Sequence, residues 1–133
     1  MGTYANLEEA REQFKNDRFA TEMGAVIDDL GDHYAKVSMT VNEHHRNAVG
    51  GVMGGVYFTL ADFAFAVAAN WQEPGVVAVD SSISFIGVPA TEQIYAEARL
   101  VKAGRTISCY IVEVRDGNGT PVAEVKTLGY RKC

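Results

Sequence analysis

The sequence predicts an α+β fold in which an antiparallel sheet of about six strands wraps around one long central helix. Three observations predict it. First, no glycine or proline falls between Gly55 and Pro74, and the alanine- and leucine-rich residues of that interval favour a helix of about four to five turns. Second, apolar residues occupy every side of this helix, so it must be buried nearly all round, and a flat sheet would cover only one side of it. Third, strand-like segments bounded by turn signals lie on both sides of it, two before and four after.

The elements follow in order. Asn6 supplies an N-cap, Glu8 and Glu9 place acids in the first turn, and Glu9 is spaced to reach back, which predicts a short helix over 6–14. Leu7, Ala10 and Phe14 recur at helical spacing, as a lid packed on the outside of the domain requires. A strand is expected from Glu22 to Leu30, a turn at Gly31-Asp32, and a second strand in which Ala35, Val37, Met39 and Val41 alternate with polar residues. A loop over 42–52 leads into the long helix, from about Gly54 to Trp71, which Glu73-Pro74-Gly75 breaks. Strands are then expected over Val76 to Phe85, Gln93 to Val101, Thr106 to Arg115 and Pro121 to Tyr130. The last two are joined by Asp116-Gly117-Asn118-Gly119, a run of residues tolerant of positive φ.

The whole chain, residues 1–133, reads as one domain that buries about two-thirds of its unfolded surface. The 47% apolar content is that of a soluble globular protein, and no apolar run reaches a membrane span of about 18 residues, because Asp62 interrupts the best candidate. Met1 to Asn6 shows no secretory signal, so the expected location is cytoplasmic, with no membrane partner. Cys109 and Cys133 form no Cys-x-x-Cys pair and read as free thiols, and three histidines without ligand spacing predict no metal site. A net charge of −5 argues against nucleic acid as a partner but leaves room for a local basic patch at Lys102, Arg105, Lys126, Arg131 and Lys132.

Function points to the glycine-rich loop and the helix it enters. Asp62 is the one carboxylate in the apolar helix, and burying it costs several kcal/mol unless it is paired, hydrogen-bonded or functional. With Asn47, Met53, Gly54-Gly55 and Leu60-Ala61-Asp62-Phe63-Ala64 in register, the chain resembles a hotdog-fold acyl-CoA thioesterase of the phenylacetate-pathway (PaaI-like) type. The family pattern is an Asn, six residues to a His, Gly-Gly, then an Asp within Leu-Ala-Asp-x-Ala, and the likeness covers nearly all of the chain. Met53 stands where the family has its histidine, Ala78 where a serine or threonine is common, and Phe85-Ile86-Gly87-Val88-Pro89 departs from a Phe-x-Arg-Pro turn.

The resemblance implies thioester hydrolysis of acyl-CoA or aryl-CoA substrates. It implies no cofactor, since coenzyme A is part of the substrate, and a homo-oligomer, dimer or dimer of dimers, with the site between subunits. Asp62 would be general base or nucleophile, the Gly54 N–H an oxyanion donor at a helix N-terminus, and Asn47 an orienting group. Met53, Gly55, Thr59, Ala78 and Arg105 are the candidate substrate-contacting residues. Each has a plainer reading. Gly-Gly serves tight helix–strand packing, Asn47 a turn, Thr59 a bond to Asp62 or to its own helix, and Arg105 a solvated strand edge. His44 and His45 read as solvated loop residues. The alternative function is a non-catalytic acyl-CoA or small-ligand binding protein on the same fold. A hydratase is disfavoured because methionine holds the place of the histidine that chemistry uses beside a carboxylate.

Overall fold

The computed structural model describes residues 3–132; Met1, Gly2 and Cys133, with the thiol expected at Cys133, lie outside them. In chain order the elements are α1 (Leu7–Phe14), α2 (Arg18–Met23), β1 (Val26–Gly31), β2 (Tyr34–Thr40), a 3-10 turn (Glu43–His45), α3 (Gly54–Ala69), β3 (Val76–Phe85), β4 (Gln93–Ala103), β5 (Ile107–Asp116) and β6 (Pro121–Arg131). The strands form one antiparallel sheet in the order β1-β2-β4-β5-β6-β3, and α3 packs into its concave face.

Local sequence explains the packing. Alternation on β2, β4, β5 and β6 sends one set of side chains to α3, and across four strands Ala35, Ala98, Val112 and Val125 stand in register and are fully buried. Small residues at Ala35, Ala96 and Ala98 let the helix lie close to the sheet, while Leu60, Phe63, Phe65 and Val67 fill the core from the helix side. At the N-terminus the Asn6 side chain accepts from the Glu9 N–H at 2.9 Å and Glu9 accepts from the Ala5 N–H at 2.9 Å, so α1 begins where its capping residues predict. Phe14 meets Phe63 edge-on at 5.8 Å, tying α1 to α3.

Two expectations are corrected. The strand expected from Glu22 starts at Val26, because 18–23 forms α2, begun by Asp17 and closed by Gly24 in the left-handed region at φ 111°. The helix α3 is not buried all round: Gly55 and Asp62 are exposed and Phe58, Thr59 and Ala66 half-buried, so one stripe at helical spacing stays open. The two sheet edges also differ. α1 covers β1, with the Arg11 Nε donating to the Ile27 carbonyl at 2.9 Å, whereas among the described residues the ten-residue β3 pairs only with β6 and exposes Val77, Val79 and Phe85.

The 116–119 turn is held by one carboxylate. Asp116 accepts from the N–H groups of Ala90 (2.7 Å), Asn118 (2.9 Å) and Thr120 (2.9 Å), and these bonds, that from Ala90 foremost, hold its carboxyl below the usual carboxylate range. A depressed folded value contributes stability that is present above the unfolded pKa of about 3.9 and is lost as pH falls through the folded value. Asp116→Ala is therefore expected to lower the urea midpoint at neutral pH and to flatten its decline in acid, measured by circular dichroism.

Candidate active site

The loop before α3 is built by its own side chains. Asn47 Oδ1 accepts from the N–H groups of Val49 (3.1 Å) and Gly51 (3.0 Å), and the Asn47 N–H donates to the Gly51 carbonyl at 2.7 Å, so Asn47 closes the turn that feeds the helix. That is the plainer role foreseen for it, and it leaves the Nδ2 group without an acceptor among the described residues.

His45, expected to be solvated, is buried. Its Nδ1 accepts from the Asn42 N–H at 2.9 Å, and its Nε2 lies 2.9 Å from the Met23 carbonyl. Because a carbonyl only accepts, Nε2 carries the proton and the ring is neutral. The His45 carbonyl also accepts from the Met53 N–H at 2.9 Å, so one residue joins the end of α2 to the start of α3.

Met53 is the N-cap of α3, 52% exposed and with no side-chain capping bond. Beyond it, the N–H groups of Gly54 and Gly55 find no acceptor among the described residues, as the first turn of any helix requires, and they gather the positive end of the helix dipole. Gly54 also packs tightly, since a Cβ there would meet the Phe85 ring at 2.8 Å. Both readings of Gly-Gly thus meet at one residue: close approach of a ring and an open donor.

Gly54 and Gly55 open onto two separate pockets. One, of about 460 Å³, is lined by Asp17, Phe19, Ala20, Gly55, Phe58, Thr59, Asp62 and Phe63. The other, of about 380 Å³, is lined by Gly51, Val52, Gly54, Tyr57, Phe85, Gly87, Val88 and Pro89. Gly55, Thr59 and Asp62 therefore share one face, and Gly54 belongs to the other. The division follows from helix geometry, because at about 3.6 residues per turn Asp62 lies within about 20° of Gly55 around the axis but about 80° from Gly54.

Asp62 opens to solvent at the pocket mouth, yet its carboxyl is raised above the usual range, first by burial among the walls and then by the charge of Asp17. Its carboxylate has no hydrogen-bond or ion-pair partner among the described residues, and Thr59 lines the same pocket without bonding it. Asp17, also raised by burial, and Phe19, 76% exposed at the rim, are pocket residues that the sequence reading missed because α2 was missed. The signal was an Asp at the N-cap position, Asp17, seven residues before a closing Gly24.

The remaining candidates lie elsewhere in the single chain. Ala78 is exposed beside the bulge of β3, opposite Gly129. Arg105 lines a small cavity with His33, Thr106 and Arg131 near the C-terminal end of α3. No group of three or more metal-ligating side chains occurs among the described residues, and no helix there is long and apolar enough to cross a membrane.

The family model described as "Thioesterase superfamily" matches residues 49–123. Acyl-coenzyme A thioesterase PaaI of Escherichia coli K12 is 30% identical over 123 residues, 92% of this chain and 88% of that protein. A protein of Archaeoglobus fulgidus is 34% identical over 119 residues, 89% of this chain and 77% of its own length. The solved structure of the E. coli PaaI protein from the phenylacetic acid degradation operon has a TM-score of 0.88 at 28% identity, with 95% of this chain and 92% of that one covered.

Proposed function

The chain belongs to the thioesterase superfamily, and from that premise we propose that it hydrolyses acyl-CoA or aryl-CoA thioesters with Asp62 as the general base. The observation that carries the proposal is the state of Asp62: an unpartnered carboxylate in a pocket walled by Phe19, Phe58 and Phe63, with its proton affinity raised. A base works best when its pKa approaches the working pH, so the shift is in the useful direction. Water deprotonated by Asp62 adds to the thioester carbonyl, the developing oxyanion is met by the Gly54 N–H at the helix N-terminus, and collapse expels the CoA thiolate. The proton held by Asp62 is then available to the leaving sulfur.

A second copy of the chain completes the site. In one chain Gly54 and Asp62 open into different pockets, so a single carbonyl does not reach both. The unpaired edge of β3, with Val77 and Val79 exposed, offers a strand for a partner to pair with and thereby to bring one chain's Asp62 toward the other's Gly54. Asn47 Nδ2 and the exposed Met53 would line that junction, with Gly55, Thr59 and Phe58 on the acyl side. Arg105 and Ala78 are kept as candidates for the coenzyme A arm.

The test is thiol release from short-chain, long-chain and aromatic acyl-CoAs, read with a thiol reagent. Release from at least one class is expected. Tight CoA-ester binding without release would overturn the proposal in favour of a binding protein.

A further inference from the structure

We propose that Asp17 is a positioning residue of the same site, its carboxylate acting on the reaction through Asp62 by setting the charge against which that base works. The inference rests on Asp62 being the base. Asp17 and Asp62 are the two titratable residues in the lining of the pocket, on α2's cap and on α3.

The Asp17 side chain is placed there by what its backbone does. Its N–H donates to the Phe14 carbonyl at 3.0 Å, and its carbonyl accepts from the Thr21 N–H at 3.0 Å and from the Thr21 hydroxyl at 2.9 Å. The residue occupies the N-cap of α2, yet its carboxylate makes no capping bond. An Asp at that position ordinarily stabilises the helix by bonding the first-turn N–H groups. Here the side chain lines the pocket instead.

Among the described residues, no cation lines the pocket beside the pair. Asp62 is the one charged residue of α3. On α2, Arg18 and Glu22 are exposed and outside the pocket lining. On the α1 side Lys15 pairs with Glu12 at 2.7 Å, and the Arg11 Nε donates to the Ile27 carbonyl at 2.9 Å; both cations line the neighbouring cavity. In the loop before α3, Arg46 donates to the Gly50 carbonyl at 3.1 Å and His45 is neutral. On β2, Lys36 lies over the Tyr95 ring, 4.9 Å from its centroid, on the outer face of the sheet.

Two carboxylates in one pocket lined by no cation resist being ionised together, and the charge of Asp17 raises the proton affinity of Asp62. With Asp17 charged, Asp62 is a stronger base than an isolated carboxylate, and the acid limb of kcat/KM lies at higher pH than it would alone. Removing the charge reverses this: the limb moves to lower pH and the plateau rate falls, by less than about tenfold, because a weaker base still stands in place.

The experiment compares pH profiles of thiol release for wild type, Asp17→Asn and Asp17→Glu. Asparagine caps helices as well as aspartate and sheds a charge that burial disfavours, so Asp17→Asn is expected to melt at or above the wild-type temperature while its acid limb shifts to lower pH. Asp17→Glu keeps the charge and is expected to hold the limb near the wild-type position. An unmoved limb in a folded Asp17→Asn protein overturns the proposal, as does a lowered melting temperature with no change of profile. Asp62→Asn, run alongside, separates the two levels. If it keeps full activity, the assignment of the base has failed. If it is inactive while the Asp17→Asn limb stays put, only the role of Asp17 has failed.

Discussion

Asp62→Asn is expected to lower thiol release by about 10²- to 10⁴-fold, the contribution usual for a positioned general base, without unfolding the chain. The same variant is expected to melt at a higher temperature than wild type near neutral pH. Burial and Asp17 raise the folded pKa of Asp62, so the stability linked to its protonated form is present below the unfolded value of about 3.9 and lost as pH rises through the folded one. The neutral amide avoids that loss, and the two melting curves should converge in acid. Thermal melts at several pH values, paired with the thiol assay, check both halves. Full activity in Asp62→Asn would sink the assignment, and a falling melting temperature would show that the carboxylate holds the fold together.

The second large effect is expected at the open sheet edge. Val79 is 55% exposed in the single chain, on the edge strand β3. If a second copy pairs there, Val79→Glu buries two carboxylates near one two-fold axis. The cost is several kcal/mol per uncompensated ion, against 1.4 kcal/mol for each tenfold in the association constant. Sedimentation should then show monomers, circular dichroism should show an intact sheet, and thiol release should fall by at least about 100-fold because Gly54 and Asp62 no longer meet one substrate. A folded monomer with wild-type activity would place the whole reaction within one chain.

Much of the fold was legible because local signals were strong. The Asn6 cap, the uninterrupted interval after Gly55, the Pro74-Gly75 breaker and the Asp116 to Gly119 turn each mark a boundary that the structure reproduces within a few residues. What escaped was short or tertiary. A six-residue helix has no periodicity to count, so α2 was absorbed into the following strand, and Asp17 and Phe19 went with it. The burial of His45 depends on the Met23 carbonyl, 22 residues away. The open stripe of α3 was hidden for another reason: Phe58 and Ala66 are as apolar as their buried neighbours, so composition does not distinguish a core face from a pocket wall. The register from Asn47 to Asp62 was visible in the sequence, while the division of Gly54 and Asp62 between two pockets is a property of the folded helix.

The tie between His45 and Met23 also bears on how the molecule breathes. A helix of six residues does not persist in water on its own, so α2 stays folded only while Ala20 is buried and the imidazole holds its last turn. Its amide protons should exchange through a local opening well below the global unfolding free energy, while those of the central strands wait for the whole domain. One wall of the candidate pocket would then open as a unit of its own, with a lifetime governed by the imidazole that holds it.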